Sequence, residues 1–388
     1  MGREMLPKEE YVIRRKRLQD EMKKSGFDVI VTYSSENESQ SSRYLVGFWP
    51  FFDFASVIVP VEGEEVLVTG GPESYEFAKD FSRASKIAIN SKLVETSAPE
   101  WVPKVEEKSF SELIIEACSK KPENIGICNY NIFPHTIYNE IAESFPSARI
   151  TRADDVLLKV QAIKSEREIP LIREAYRITE EAMKTALNSV KPGMSEWELE
   201  AIARSKMLEL GAEGFSYPAW VCSGPNTRLS LCRSTNRIIN ENEPVQFTFG
   251  AKYSGYCGNM CRPFVFGNPP ENFRKLMEVA LEAMNNALEN IKPGIRANEV
   301  FKGYYDILHK YGFEEFTLYG PAHGTGSSEV EGLWLSENAE FTIQKKMVFN
   351  VDIWLTDGVY GLRYEDGILV TDDGIEELTS YRREIIIL

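Results

Sequence analysis

The second half of the chain contains an internal repeat, and it limits the possible folds more than any other feature. Residues 181–194 read EAMKTALNSVKPGM and residues 282–295 read EAMNNALENIKPGI. At an offset of 101 residues, eight of the fourteen positions are identical. Each copy predicts a helix stopped by Lys-Pro-Gly, since proline removes a helix donor and glycine lets the backbone turn. A second predicted helix follows each, over 197–210 behind a Ser195-x-x-Glu198 capping box and over 298–311. Both close at an equivalent glycine, Gly211 and Gly312, before strand signals begin. A helix pair plus sheet used twice implies an α+β domain with pseudo-twofold symmetry and a site where its halves meet. The period is too long for a solenoid, whose units run to about 20–50 residues.

The first half alternates helix and strand signals. Residues 8–25 predict a charged amphipathic helix with Tyr11, Val12, Leu18 and Met22 on its apolar positions. Apolar runs at 27–33 and 55–61 predict buried strands, and the Glu62-Gly63 turn pairs the latter with 65–69. Short strands are expected at 86–89, 125–128 and 148–151. This pattern describes an α/β domain over residues 1–156, with the repeat-bearing domain over 157–388. The aromatic run Phe48, Trp49, Phe51, Phe52 and Phe54 reads as core or interface.

The net formal charge of −15 argues against a nucleic-acid backbone as partner. No apolar run approaches the roughly 20 residues of a membrane helix, and the N-terminus lacks the apolar core of a signal peptide. Six scattered cysteines in so long a chain do not describe a disulfide framework. We expect a cytoplasmic protein with neither nucleic acid nor membrane as partner.

Residues 245–267 read VQFTFGAKYSGYCGNMCRPFVFG. This resembles the aspartate hairpin of the pita-bread family, which includes methionine aminopeptidase, Xaa-Pro dipeptidase and creatinase. The family's metallopeptidases follow the pattern D-x-G-x-x-x-x-G-Y-x-x-D-x-x-R. Gly250, Gly255, Tyr256 and Arg262 hold their places, while Thr248 and Asn259 stand where the two metal-bridging aspartates belong. Ala322-His323-Gly324-Thr325-Gly326 resembles the metal-histidine segment. Asp352-Ile353 replaces the family's Glu-Pro, and Arg363-Tyr364-Glu365-Asp366 matches its R-x-E-D. Tyr44-Leu45-Val46-Gly47-Phe48 is similar to a motif of the creatinase and prolidase N-terminal domain. The resemblance implies an α/β N-terminal domain, a pita-bread C-terminal domain, and a homodimer acting on a small molecule or dipeptide. It also makes the aromatic run a candidate lid over the other subunit's site.

On this resemblance His323, Glu365 and Asp352 are the candidate catalytic residues, and Thr248, Asn259, Arg262 and Cys261 the candidate substrate-binding ones. Histidines that serve the peptidases elsewhere are replaced by Tyr319 and Val330, and none stands near Leu231; the chain has only His135, His309 and His323. A two-ion centre carries four positive charges. With only Asp352 and Glu365 matched, about two stay uncompensated, at several kcal/mol each. Neutral Thr and Asn oxygens are also poorer ligands. We therefore expect no cofactor and no metal, a single divalent ion on His323, Asp352 and Glu365 being disfavoured. His323 with Glu365 then forms the acid–base pair. If 256–262 is a strand, Cys257, Asn259 and Cys261 share a face, which brings a thiol to the site. The expected activity is metal-independent hydrolysis of a C–N or amide bond. Three alternatives stay open: an Xaa-Pro dipeptidase or aminopeptidase with one metal, a metal-free hydrolase or lyase using Cys261, and a non-catalytic binding protein.

Overall fold

The computed structural model describes residues 6–95 and 107–388. The chain divides into two units, Met1–Gln161 and Ala162–Leu388. The boundary expected after residue 156 falls inside a helix, Asp154–Ala162.

In the first unit the strands are β1 (Val29–Val31), β2 (Ala55–Pro60), β3 (Val66–Thr69), β4 (Lys86–Ile89), β5 (Asn124–Ile127) and β6 (Arg149–Arg152). They form one sheet in the order β4-β3-β2-β1-β5-β6. The helices are α1 (Lys8–Ser25), α2 (Gln40–Val46), α3 (Pro72–Phe81), α4 (Phe110–Cys118), α5 (His135–Ser144) and α6 (Asp154–Ala162). Alternate strand residues point to opposite faces. Ile30, Val57 and Leu67 join Leu18 and Met22 in one core, while Val29, Val31, Ile58 and Ile125 join Leu113 and Ile141 in another. Covering both faces explains why these strands read as unbroken apolar runs. The expected strand over 27–33 shortens to Val29–Val31; beyond it only Ser34 makes an isolated bridge, to Ala55.

The second unit shows the repeat in three dimensions. Its helices are α7 (Glu168–Ser189), α8 (Glu196–Glu209), α9 (Glu271–Asn290) and α10 (Ala297–Tyr311). After α7 and α9 the chain turns at Gly193 and Gly294, at φ 91° and 90°. Each of these glycine amides donates to an isoleucine carbonyl, Ile239 or Ile343, at 2.9 Å. The Ser195–Glu198 capping box forms as expected at the start of α8.

Its main strands are β7 (Gly214–Phe215), β8 (Trp220–Ser223), β9 (Pro244–Tyr253), β10 (Tyr256–Val265), β11 (Ala322–Gly324), β12 (Val348–Thr356) and β13 (Gly361–Val370). The order β11-β12-β13-β10-β9-β7 sets two hairpins, β9–β10 and β12–β13, side by side. They meet at the register pair Cys261↔Glu365. One face of each hairpin packs on its own helix pair. Phe247, Phe249, Met260 and Phe264 pack with Met183 and Met207; Val351, Ile353, Leu362 and Tyr364 pack with Met277 and Tyr304. The alternate residues face the other way and build the site.

Candidate active site and metal site

Strand register places the expected side chains together. Thr248 lies opposite Cys261, Cys261 opposite Glu365, and Glu365 opposite Asp352. Cross-strand neighbours share a face, so all four project from the same side of the sheet. Asn259 is two residues from Cys261 on that face, and His323 on β11 lies opposite Asn350 on β12. All six are buried.

His323 Nδ1 lies 3.1 Å from its neighbour's carbonyl, Gly324 O. A carbonyl only accepts, so Nδ1 carries the proton and Nε2 keeps its lone pair. The imidazole packs against the indole of Trp334 at 4.9 Å, and Nε2 is 3.8 Å from Glu329 Oε1. His323, Glu329 and Glu365 each offer a ligand atom, and these atoms all lie within 4.8 Å of one another. The Tyr217 hydroxyl is 3.3 Å from both Glu365 Oε2, to which it donates, and Thr248 Oγ1. Among the described residues, buried Glu365 Oε1 has no hydrogen-bond partner, and neither has either amide atom of Asn259.

Arg363, two residues before Glu365, brings a fixed positive charge. Its Nη1 is 3.3 Å from Asp352 Oδ2, and its Nη2 donates to Ser230 O at 2.9 Å. The rings of Trp220 and Tyr319 flank the guanidinium at 5.6 and 5.7 Å. Burial opposes its charge, but Asp352 together with Tyr319, Glu365 and Cys261 outweighs that, so it stays protonated. Burial, followed by the nearby Asp352 charge, pushes the Glu365 carboxyl well up, and burial also raises Glu329.

Arg262 does not join this group, which corrects its assignment to substrate. It points to the opposite side of β10. All five of its N–H groups are engaged: with Asp366 Oδ1 at 2.8 Å and with the carbonyls of Cys261, Glu365, Tyr381 and Arg382. No donor is left for a ligand. The Cys261 thiol does face the site, but burial pushes it well up and keeps it protonated, which works against a thiolate nucleophile.

Residues 170–372 match the model of metallopeptidase family M24, and residues 14–163 match that of the creatinase/prolidase N-terminal domain. The chain belongs to metallopeptidase family M24. Its class is that of a peptide-bond hydrolase, as expected from the sequence. It is 29% identical over 339 residues to an Xaa-Pro dipeptidase of Pyrococcus horikoshii, covering 83% of this chain and 94% of that one. A recombinant prolidase from Thermococcus sibiricus superposes with a TM-score of 0.83 at 26% identity, over 97% of this chain and 99% of that chain. A dipeptidase from Mycobacterium ulcerans shares the fold, with a TM-score of 0.84 at 19% identity over 99% of both chains.

The expectation of no cofactor is therefore corrected, and metal-independent chemistry with it. The family is one of metallopeptidases, and the site holds a ligand trio that the sequence reading lacked. Glu329 was missed because it lies on an irregular segment after β11, where no periodicity points a side chain. Its one sequence signal was an acidic residue beside Val330, where a peptidase histidine belongs. One imidazole with two carboxylates suits a divalent ion such as zinc or manganese. The charges agree. Glu329, Asp352 and Glu365 oppose the one guanidinium of Arg363, and the two remaining negative charges match one divalent ion. The residues fit a single ion on His323, Glu329 and Glu365.

Proposed function

We propose that this protein hydrolyses dipeptides, Xaa-Pro dipeptides first among them, with one divalent ion rather than two. The observation that carries this is the His323–Glu329–Glu365 trio beside the closed Arg363–Asp352 ion pair. The names of the relatives support the substrate class. When bound, the ion lowers the pKa of water and polarises the scissile carbonyl.

The chain's own residues do the rest. Gly324 holds His323 so that Nε2 faces the trio, and the Tyr217 hydroxyl steadies Glu365. Glu329, only partly buried, would hold the ion together with His323 and Glu365 at the open side of the pocket. Arg363 Nε, buried and without a partner among the described residues, is a donor for the carbonyl oxygen as charge develops there. Thr248, Asn259 and Cys261 form a neutral wall for the substrate, and Asp352 keeps Arg363 in place. We further infer a cytoplasmic homodimer. Six free cysteines suit a reduced compartment, and the exposed Phe51 and Phe52 rings suit a subunit contact.

The test is an assay of chelator-stripped protein on a panel of dipeptides, with and without manganese, cobalt or zinc. Turnover should require metal, and His323→Ala and Glu365→Gln should each lower it by roughly 100-fold or more. A metal-loaded protein that cleaves no dipeptide would overturn the proposal.

A further inference from the structure

Glu329 reaches the site from the tip of a tight loop, with its Oε1 3.8 Å from His323 Nε2. Behind that loop lies a buried ion pair, Lys164 with Glu331. Lys164 Nζ donates to Glu331 Oε2. Glu331 Oε1 accepts from the Ser327 N–H at 2.5 Å and from the Ser327 hydroxyl at 2.9 Å. The carboxylate thus ties the end of the loop 327–331 to its beginning. The Glu331 N–H donates to Gly324 O at 2.9 Å, and Ser328 O accepts from the Gly326 N–H at 3.1 Å and the Thr325 hydroxyl at 3.2 Å. Gly326 O accepts from the Cys257 N–H at 2.7 Å, which fastens the loop to β10. A Cβ on Gly326 would lie 2.7 Å from both Lys164 Nζ and Glu331 Oε1, so only glycine lets the backbone pass this close to the pair. Lys164 is itself held in place. Its N–H donates to Lys346 O at 3.0 Å, and the next residue, Ser165, exchanges hydrogen bonds with Glu168 at the start of α7. Glu168 also accepts from the Tyr256 hydroxyl on β10 at 3.2 Å.

We propose that Lys164 and Glu331 are a positioning pair that holds Glu329 at His323 and keeps Glu331 itself off the ion. Glu329 and Glu331 stand two residues apart on one loop and carry the same ligand chemistry. The ammonium separates their roles. It neutralises Glu331, and both Glu331 oxygens are engaged, so the glutamate that joins His323 and Glu365 is Glu329. The pair adds no net charge, and the balance of the trio with one divalent ion is unchanged. Stability alone does not call for ions here, since apolar residues of similar size in place of a buried pair are often neutral or stabilising. What the carboxylate adds is the acceptor that closes the loop, and a ligand's outer partners set how well it binds its ion. The inference rests on the single-ion reading of His323, Glu329 and Glu365.

The experiment compares full-length wild type, Glu329→Gln, Lys164→Met/Glu331→Leu and the triple variant by equilibrium dialysis against manganese. The visible absorption of bound cobalt is the second readout. The pair variant buries no charge, so without metal it should melt close to wild type. It should bind manganese roughly 10-fold more weakly or worse. Its cobalt spectrum should move as that of Glu329→Gln does. The triple variant should bind no more weakly than Glu329→Gln, because a pair that acts through Glu329 then has nothing left to act on. Glu331→Gln keeps an acceptor for Ser327 but loses the charge, so it should fold and weaken manganese binding by a smaller factor. Manganese affinity undiminished in the pair variant, or in Glu331→Gln should the pair variant fail to fold, would overturn the proposal, as would losses that add in the triple variant. Undiminished affinity in Glu329→Gln would instead overturn the single-ion reading on which it rests.

Discussion

On the proposed single-ion reading, Arg363, Thr248 and Asn259 set how many cations this pocket takes. The guanidinium already neutralises Asp352, and the trio is left with the charge of one divalent ion. Thr248→Asp with Asn259→Asp adds two negative charges on the same buried face. The double variant should therefore take up a second ion, and manganese should raise its melting temperature more than that of wild type, since a ligand bound only by the folded state stabilises it. Without metal the variant should melt lower than wild type, because its carboxylates repel across a buried pocket. Calorimetry of both proteins with and without manganese checks both halves. The motifs made His323, Asp352, Glu365, Thr248, Asn259 and Cys261 legible, and strand alternation sets them on one face. Arg262 was misread because its place in a motif does not say which side of β10 it leaves. Glu329 was illegible because only the folded path of an irregular segment brings it to His323.

Helix ends in the second unit were legible because Lys-Pro-Gly carries its own physics. Gly193 and Gly294 have nearly equal positive φ, and a Cβ at either meets nothing within 4 Å. The cost of an alanine there is backbone strain alone, about 1–2 kcal/mol. Gly193→Ala and Gly294→Ala should thus destabilise equally in urea unfolding; unequal losses would mean that the two turns are not equivalent. In the first unit, strand lengths were less legible, since an apolar run does not show where pairing stops. There Asp28 joins the start of β1 to β5. Burial opposes its ionisation, but the N–H groups of Asn124 and Glu123, at 2.9 and 2.8 Å from Oδ2, overcome this and hold the carboxyl below its ordinary value. A depressed carboxyl contributes stability that is complete above the unfolded value, about 3.9, and is lost as pH falls through the folded one. Asp28→Asn should therefore lower the urea midpoint by a constant amount above about pH 4 and converge on wild type in acid, as read by urea midpoints across pH.

In the whole molecule, two copies of one helix-pair-and-hairpin unit meet at Cys261 and Glu365; the second copy carries His323, Glu329 and Glu365, and the first faces them with Thr248, Asn259 and Cys261. The repeat made that architecture readable before any coordinates, since a duplicated unit must bury its sheet against its own helices and leave a shared face between the copies. The cofactor was misjudged for a related reason. Only the family's five ligand positions entered the charge balance, so Glu329 and Arg363 were left out of it. The most direct test counts ions: equilibrium dialysis of wild type and Glu329→Gln against manganese or zinc, followed by elemental analysis. Wild type should hold one ion per chain, and Glu329→Gln should bind it at least about 10-fold more weakly. Two tightly held ions in wild type, or one ion held with undiminished affinity by Glu329→Gln, would contradict a single-ion site built on His323, Glu329 and Glu365.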